Sequence, residues 1–242
     1  MIYRILDILI ASTMLLLTAP ILIPAMIAVW WQDFHSPFYI APRVAKGGGI
    51  FKMMKLRSMV INADKSGVDS TGANDKRITA VGHFVRKCKL DELPQLFNVI
   101  KGDMSLVGPR PNVKRDTDLY TEVEKRLLTA RPGITDLASI VFADEGEILK
   151  DKSDPDIAYN QLIRPWKSRL ALIFVDQPSV KLYFQILVLT AKAITSRADA
   201  LLGVSEVLNN LKAPIELQEV ARRQMVLVPT PPPGATEIVT SR

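Results

Sequence analysis

Residues 8–31 (ILIASTMLLLTAPILIPAMIAVWW) run for 24 positions without a charged side chain. That exceeds the roughly 18 apolar residues that mark a membrane helix candidate. As a straight helix the run rises about 36 Å, against a hydrocarbon core of about 30 Å. No second run matches it, which argues against a polytopic transporter. Its length, Asp7 at its start and the lack of an A-x-A site disfavour a cleaved signal peptide. Pro20 and Pro24 lack amide protons and crowd the carbonyls of Leu16 and Pro20, so two defects one turn apart favour a bend. Composition leaves two geometries open here. One is a bent hairpin with Trp30 and Trp31 at headgroup depth; the other is a kinked helix that spans.

Beyond the anchor the apolar stretches shorten. HSPFYIAPRVAKGGGIFKMMKLRSMV alternates them with turn residues at Ser36-Pro37 and 47–49, the pattern of a hairpin beside the membrane. Residues 62–76 are polar and rich in Gly, Ser and Asp, which predicts a surface loop. Ile78, Val81, Phe84, Val85 and Cys88 fall at helical spacing, with Arg77, Arg86, Lys87 and Lys89 largely off that stripe. Pro94 suits the first turn of a second helix, LPQLFNVIK, and Gly102 suits its end. Asp91 and Glu92 therefore sit at or just before a helix start. RDTDLYTEVEKRLLTA reads as helical, RPGIT as a tight turn at Pro132-Gly133, and DLASIVF as a short strand-like run before an acidic loop. Residues 178–194 are too short and too flanked by Lys181 and Lys192 to span, and suit an interfacial or core helix. PTPPP at 229–233 opens an extended, mobile tail.

With 48% hydrophobic and 23% charged residues in 242, the chain can bury a core and is not a disordered polymer. Charge then orients it. Residues 39–242 carry 30 Lys+Arg and 23 Asp+Glu, and 41–60 hold Arg43, Lys46, Lys52, Lys55 and Arg57 with no acid. By the positive-inside rule this body is cytoplasmic. Cys88 alone makes no internal disulfide, and His35 and His83 belong to no zinc-binding pattern.

Two roles compete for Asp91 and Glu92. Acids at a helix start are favoured by capping and by the helix dipole, so a purely structural pair is one reading. However, a basic cluster precedes them, Asp103 follows, and Arg110 stands between Pro109 and Pro111, which restrict its backbone. Such an arginine offers a fork to phosphate oxygens. Carboxylates beside cations suit phosphoryl chemistry, because a carboxylate can attack phosphorus or hold Mg²⁺ while cations stabilise phosphate charge. The basic residues after the anchor fit anionic lipid or anionic substrate. Asp144, Glu145 and Glu147 match no calcium loop and read as solvated acids.

An ordered set of strings resembles the bacterial sugar transferases, or monotopic phosphoglycosyl transferases. It comprises the proline-broken anchor, KLRSM (55–59), NDKRIT (74–79), LDELPQLFNVIKGDMSLVGPRP (90–111) and RPGIT (131–135), covering roughly residues 1–195. The resemblance implies transfer of a sugar 1-phosphate from a UDP-sugar to undecaprenyl phosphate, with release of UMP, at the start of surface polysaccharide or glycoconjugate synthesis. It implies that Asp91 is the nucleophile and a Mg²⁺ ligand, and that Glu92 assists. Arg110, Pro109, Pro111, Lys55 and Arg57 would bind substrate, and Pro20 and Pro24 would form the membrane break. The expected fold is an α-rich α+β membrane-associated one: a re-entrant helix-break-helix at 1–36, a small catalytic body at 37–200 with interfacial amphipathic helices, and a C-terminal extension at 201–242. The expected location is the cytoplasmic face of the bacterial inner membrane. Membrane lipid, the UDP-sugar and the lipid phosphate are the expected partners, nucleic acid is not, and homo-oligomer formation stays open. Two departures stand out: Ala19 precedes Pro20 where many members have Ser, and Asp136 follows PGIT where many have Gly. The rivals are a non-catalytic membrane scaffold and a transferase that works without a covalent intermediate.

Overall fold

A computed structural model of the chain describes residues 2–63 and 75–240. The loop expected at 62–76 and the first residue of NDKRIT fall mostly or wholly outside those residues. The fold is mostly helical, with two small sheets. Helix α1 (Ile2–Trp31) leads into the antiparallel hairpin β1 (Phe38–Val44) and β2 (Ile50–Leu56). Then come α2 (Ala80–Lys87), a 3-10 turn (Leu90–Glu92), α3 (Gln95–Lys101), β3 (Ser105–Val107), α4 (Lys114–Asp118) and β4 (Gly133–Thr135). The remainder is helical: α5 (Leu137–Val141), α6 (Glu145–Ile148), α7 (Pro155–Ala158), α8 (Arg164–Asp176), α9 (Val180–Thr195), α10 (Arg197–Asn210) and α11 (Ile215–Arg222).

Helix α1 is long and apolar enough to cross a membrane, with mean hydropathy 2.2 in its most apolar window. The break expected at Pro20 and Pro24 is not seen, because α1 continues through both prolines. The hydroxyls of Thr13 and Thr18 donate back to the carbonyls of Leu9 (2.9 Å) and Met14 (2.7 Å), satisfying side-chain donors within the apolar stretch. Both ends of α1 are fixed to the body. Near the start, Arg4 donates to the carbonyls of Val99 and Ile100 at the C-terminal end of α3. The buried Asp7 carboxylate accepts from Ser105 Oγ (2.8 Å), the Leu106 amide (2.9 Å) and Tyr183 Oη (2.8 Å). At the other end Leu22, Ala25 and Val29 pack with Leu56, Val85 and Leu90. Burial of each such large aliphatic side chain is worth about 1.5–3 kcal/mol. The opposite face, including Leu9, Leu16, Leu17, Ile21 and Ile23, is exposed.

Several local expectations hold. The hairpin forms, α3 begins after Pro94, and Gly102 ends it with φ 102°, a left-handed position suited to glycine. Others are overturned by local hydrogen bonding. The helical stretch expected at 115–130 divides into α4 and a 3-10 helix (Glu124–Thr129), because Thr121 and Glu124 form a reciprocal cap: the Thr121 amide donates to Glu124 and the Glu124 amide to Thr121 Oγ1, both at 3.1 Å. The strand-like reading of DLASIVF fails because Asp136 caps a helix, accepting from the amide and hydroxyl of Ser139 at 2.6 Å each. Pro132-Gly133 leads into β4, which pairs parallel with β3. A Cβ at Gly133 would lie 2.2 Å from the Gly108 amide nitrogen, so the glycine serves strand approach.

The C-terminal extension expected at 201–242 packs against the body, and so does the stretch from 229 expected as a mobile tail. Val204, Val207, Leu208, Leu217 and Ala221 place α10 and α11 in the main core with α5, α8 and α9. The Pro-rich stretch beyond is tied down as well: Arg169 donates to the Pro231 carbonyl (3.1 Å) and Gln161 to that of Val239 (2.7 Å). Proline content signals an extended backbone, which can still be bonded at its carbonyls. On α9, Leu182, Tyr183, Ile186 and Leu189 face the core, while Val188 and Ile194 are exposed.

Candidate active site

The site is assembled where chain segments converge beside α3. Strand β2 presents Lys55 and the 3-10 turn presents Asp91 and Glu92. The loop after β3 presents Arg110 between Pro109 and Pro111. That loop is pinned on both sides: the Gly133 amide donates to the Pro109 carbonyl (2.9 Å) and the Val44 amide to that of Asn112 (3.0 Å). Arg110 therefore projects from a backbone fixed to both sheets. Its guanidinium donates to Glu92 and to the Ile134 carbonyl (3.3 Å). Lys55 Nζ lies 3.8 Å from Glu92 Oε1.

These contacts give the two acids different characters. Burial would raise the Glu92 carboxyl, but Arg110 and Lys55 outweigh it and hold it at about 2. Glu92 in turn strengthens the Arg110 cation. Burial lowers the Lys55 ammonium, reinforced by Arg110 and opposed by Glu92 and Asp91. Asp91 is raised above the ordinary carboxylate range, first by burial and then by Glu92, with Lys55 pulling the other way. Among the described residues Asp91 makes no hydrogen bond or ion pair. Glu92 is thus engaged by both cations, and Asp91 is the carboxylate of the pair without a partner among the described residues.

Asp91, Lys55, Pro109, Arg110 and Pro111 line one cleft of about 1010 Å³. Arg43, Arg86, Arg115 and Lys167 add further positive charge along it. A basic cleft of this volume accommodates a nucleoside diphosphate derivative. Asp136, the departure from the family pattern, also lines it as the buried cap of α5, with its carboxyl raised by burial against the Ser139 hydrogen bonds. Lys167 pairs with Glu145 on the far wall. Asp144 pairs with Arg197 (2.7 Å) and Arg223 (3.2 Å), so these two acids are ion-paired where solvated ones were expected. Among the described residues no group of three or more His, Cys, Asp and Glu is arranged to hold a metal.

Arg57 borders the cleft, but its guanidinium is used elsewhere. It donates to Asp33 Oδ2 (2.5 Å) and Oδ1 (2.7 Å) and, through Nε, to the Ser36 carbonyl (2.9 Å). It is 9% exposed and locks the segment leaving α1, so it is not a free substrate contact. Spacing could not reveal this, because Asp33 and Arg57 lie on different elements. The buried Glu124–Arg164 pair, whose arginine lines the cleft, does not follow from spacing, although the T-x-x-E string at 121–124 marks a capping box.

Comparison with known proteins carries the geometry further. Residues 1–197 match the model of the family described as bacterial sugar transferase. The chain is 35% identical over 185 residues to the UDP-glucose:undecaprenyl-phosphate glucose-1-phosphate transferase of Caulobacter vibrioides, covering 73% of this chain and 68% of that protein. It is 42% identical over 146 residues to the undecaprenyl-phosphate galactose phosphotransferase of Salmonella typhimurium, covering 53% of this chain and 30% of that one. It is 34% identical over 165 residues to the UDP-N-acetylgalactosamine-undecaprenyl-phosphate N-acetylgalactosaminephosphotransferase of Aeromonas hydrophila, covering 66% and 39%. The chain thus spans well under half the length of the latter two relatives. The match over 1–197 takes in the anchor helix, the acidic pair and the Pro-Arg-Pro loop together, and the chain belongs to the bacterial sugar transferase family.

Proposed function

We propose that the chain transfers a sugar 1-phosphate from a UDP-sugar to undecaprenyl phosphate, releasing UMP and initiating polysaccharide synthesis. The observation that carries this reading is the division of labour in the acidic pair: Glu92 holds Lys55 and Arg110, while Asp91 is unengaged in a basic cleft. In the first step an Asp91 carboxylate oxygen attacks the sugar-bearing phosphorus, and the bond from that phosphorus to the bridging oxygen breaks. UMP leaves with that electron pair, and the sugar phosphate remains on Asp91 as an acyl phosphate. In the second step an oxygen of the lipid phosphate attacks the same phosphorus, and the Asp91 carboxylate is released. Arg110 and Lys55 stabilise negative charge on the phosphoryl oxygens in both steps.

Mg²⁺ fits this donor set as a substrate-assisted ion, since Mg²⁺ commonly uses one or two carboxylates together with substrate phosphates. Asp91 would hold it, and the ion would offset the repulsion between carboxylate and diphosphate. Glu92, already engaged by two cations, is the weaker ligand.

The membrane arrangement proposed is monotopic, on the cytoplasmic face of the inner membrane. Helix α1 sinks its exposed apolar face into one leaflet, and both of its ends stay on the cytoplasmic side with the body. Its support is the attachment of both ends of α1 to one body, through Asp7 at one end and Val29 with Asp33 at the other. A helix crossing the bilayer would separate those ends by the hydrocarbon thickness of about 30 Å, with the body on one side only. An N-terminal tag is expected to react with reagents only from the cytoplasmic side; periplasmic labelling would establish a spanning helix.

The decisive assay supplies the purified chain in nanodiscs with Mg²⁺, undecaprenyl phosphate and a panel of UDP-sugars. UMP release with formation of the sugar-linked lipid is expected for at least one donor, and neither product from any donor would overturn the reading. Its pH profile is also fixed by the site. Asp91 must be ionised, so kcat/KM falls as pH drops through a value above the ordinary carboxylate range, with a slope of one. Glu92, at about 2, adds no second acid limb.

A further inference from the structure

Gln95 is the first residue of α3 and lies four positions after Asp91. The intervening Leu93 (φ −57°, ψ −38°) and Pro94 (φ −62°, ψ −16°) are both helical. Residues four apart on helical backbone share a face, and both side chains line the same cleft. Gln95 is only 1% exposed, yet its Nε2 has no acceptor among the described residues. Buried polar groups are nearly always paired, and an unmet donor costs stability. Two cationic donors of the same cleft, Lys55 and Arg110, are both paired with Glu92. An amide adds directional hydrogen bonding beside them without adding charge.

The geometry points to Gln95 as a direct substrate contact, its amide donating to a non-bridging oxygen of the phosphoryl group that Asp91 attacks. This rests on the phosphoryl-transfer reading above. The amide orients the phosphorus toward the Asp91 oxygen, and the bond strengthens as negative charge gathers on the phosphoryl oxygens. Gln95 is a neutral donor in the cleft that Lys55, Arg86 and Arg110 also line, which points to an oxygen acceptor of the phosphate class as its ligand.

The test uses the full chain in nanodiscs with the UDP-sugar that the wild-type protein turns over, and compares Gln95→Leu and Gln95→Glu. Two quantities are read: the rate of the UMP burst without acceptor lipid, which isolates the first step, and the thermal midpoint. A donor to substrate predicts that Gln95→Leu slows the burst by about 10-fold to 100-fold, with a thermal midpoint equal to or above wild type because an unmet buried donor has gone. Gln95→Glu slows it at least as much, since it places an anion against phosphate. A burst within twofold of wild type for Gln95→Leu overturns the proposal. So does wild-type rate in Gln95→Glu, which would assign the contact to the amide oxygen. A Gln95→Leu chain that fails to fold overturns it too, by showing that the amide is satisfied within the fold. If the wild-type chain releases no UMP from any donor, the proposed function itself fails, which separates that result from failure of this inference.

Discussion

Asp91→Asn is expected to lower UMP release in nanodiscs by at least about 10³-fold while leaving the protein folded, because an amide cannot form the acyl phosphate. Stability should move the other way. Folding raises the Asp91 proton affinity, chiefly through burial, so the folded state binds more protons than the unfolded one between the ordinary carboxylate range and the raised value. Across that window stability falls as pH rises, and at neutral pH the ionised group remains a net cost. Asn removes that cost. The thermal midpoint of the Asn variant should therefore lie above that of wild type at neutral pH. Labelled sugar phosphate should stay on wild-type protein when acceptor lipid is withheld, and be absent from the Asn variant. Wild-type turnover in Asp91→Asn would remove the covalent mechanism, and a lower midpoint would contradict the burial argument.

Glu124→Ala should produce the largest loss of stability. Glu124 is fully buried; its carboxylate accepts from Arg164 Nε (3.0 Å) and Nη2 (2.6 Å), Ser168 Oγ (2.7 Å) and the Thr121 amide (3.1 Å). Removing it leaves the buried Arg164 cation without its counter-ion, a loss of about 3–5 kcal/mol. Arg164 also holds the Leu119 carbonyl (2.5 Å) and Asn160 Oδ1 (3.0 Å), so the wall of the cleft loosens with it. Thermal unfolding in detergent measures the loss. The double variant Glu124→Leu with Arg164→Leu should recover much of it, because two charges leave the interior together. A single variant as stable as wild type would show that Arg164 finds other compensation.

What the amino-acid order disclosed depended on how local the determining interaction is. The hairpin, the start of α3 after Pro94, its end at Gly102 and the position of Asp91 and Glu92 before it all follow from neighbours in sequence. The breaks at Thr121 and Asp136 are also local, but they depend on side-chain caps that periodicity does not register. Arg57 on Asp33, Asp7 on Tyr183 and Glu124 on Arg164 join distant segments, and no spacing rule announces such pairs. Convergence of Lys55 and Arg110 on Glu92 is of the same kind. The motif strings placed these residues in one family pattern, and the fold shows the different surroundings of the two acids.

The double attachment of α1 bears on how the enzyme can be handled. Deleting residues 2–31 to obtain a water-soluble fragment would strip Leu22, Ala25 and Val29 from Leu56, Val85 and Leu90, and the carboxylate from Ser105 and Tyr183. Leu56 and Leu90 adjoin Lys55 and Asp91 in the chain, so the uncovered surface would border the candidate site. The apolar helix and the candidate site therefore share one interior, and a clipped version is expected to aggregate before it could turn over.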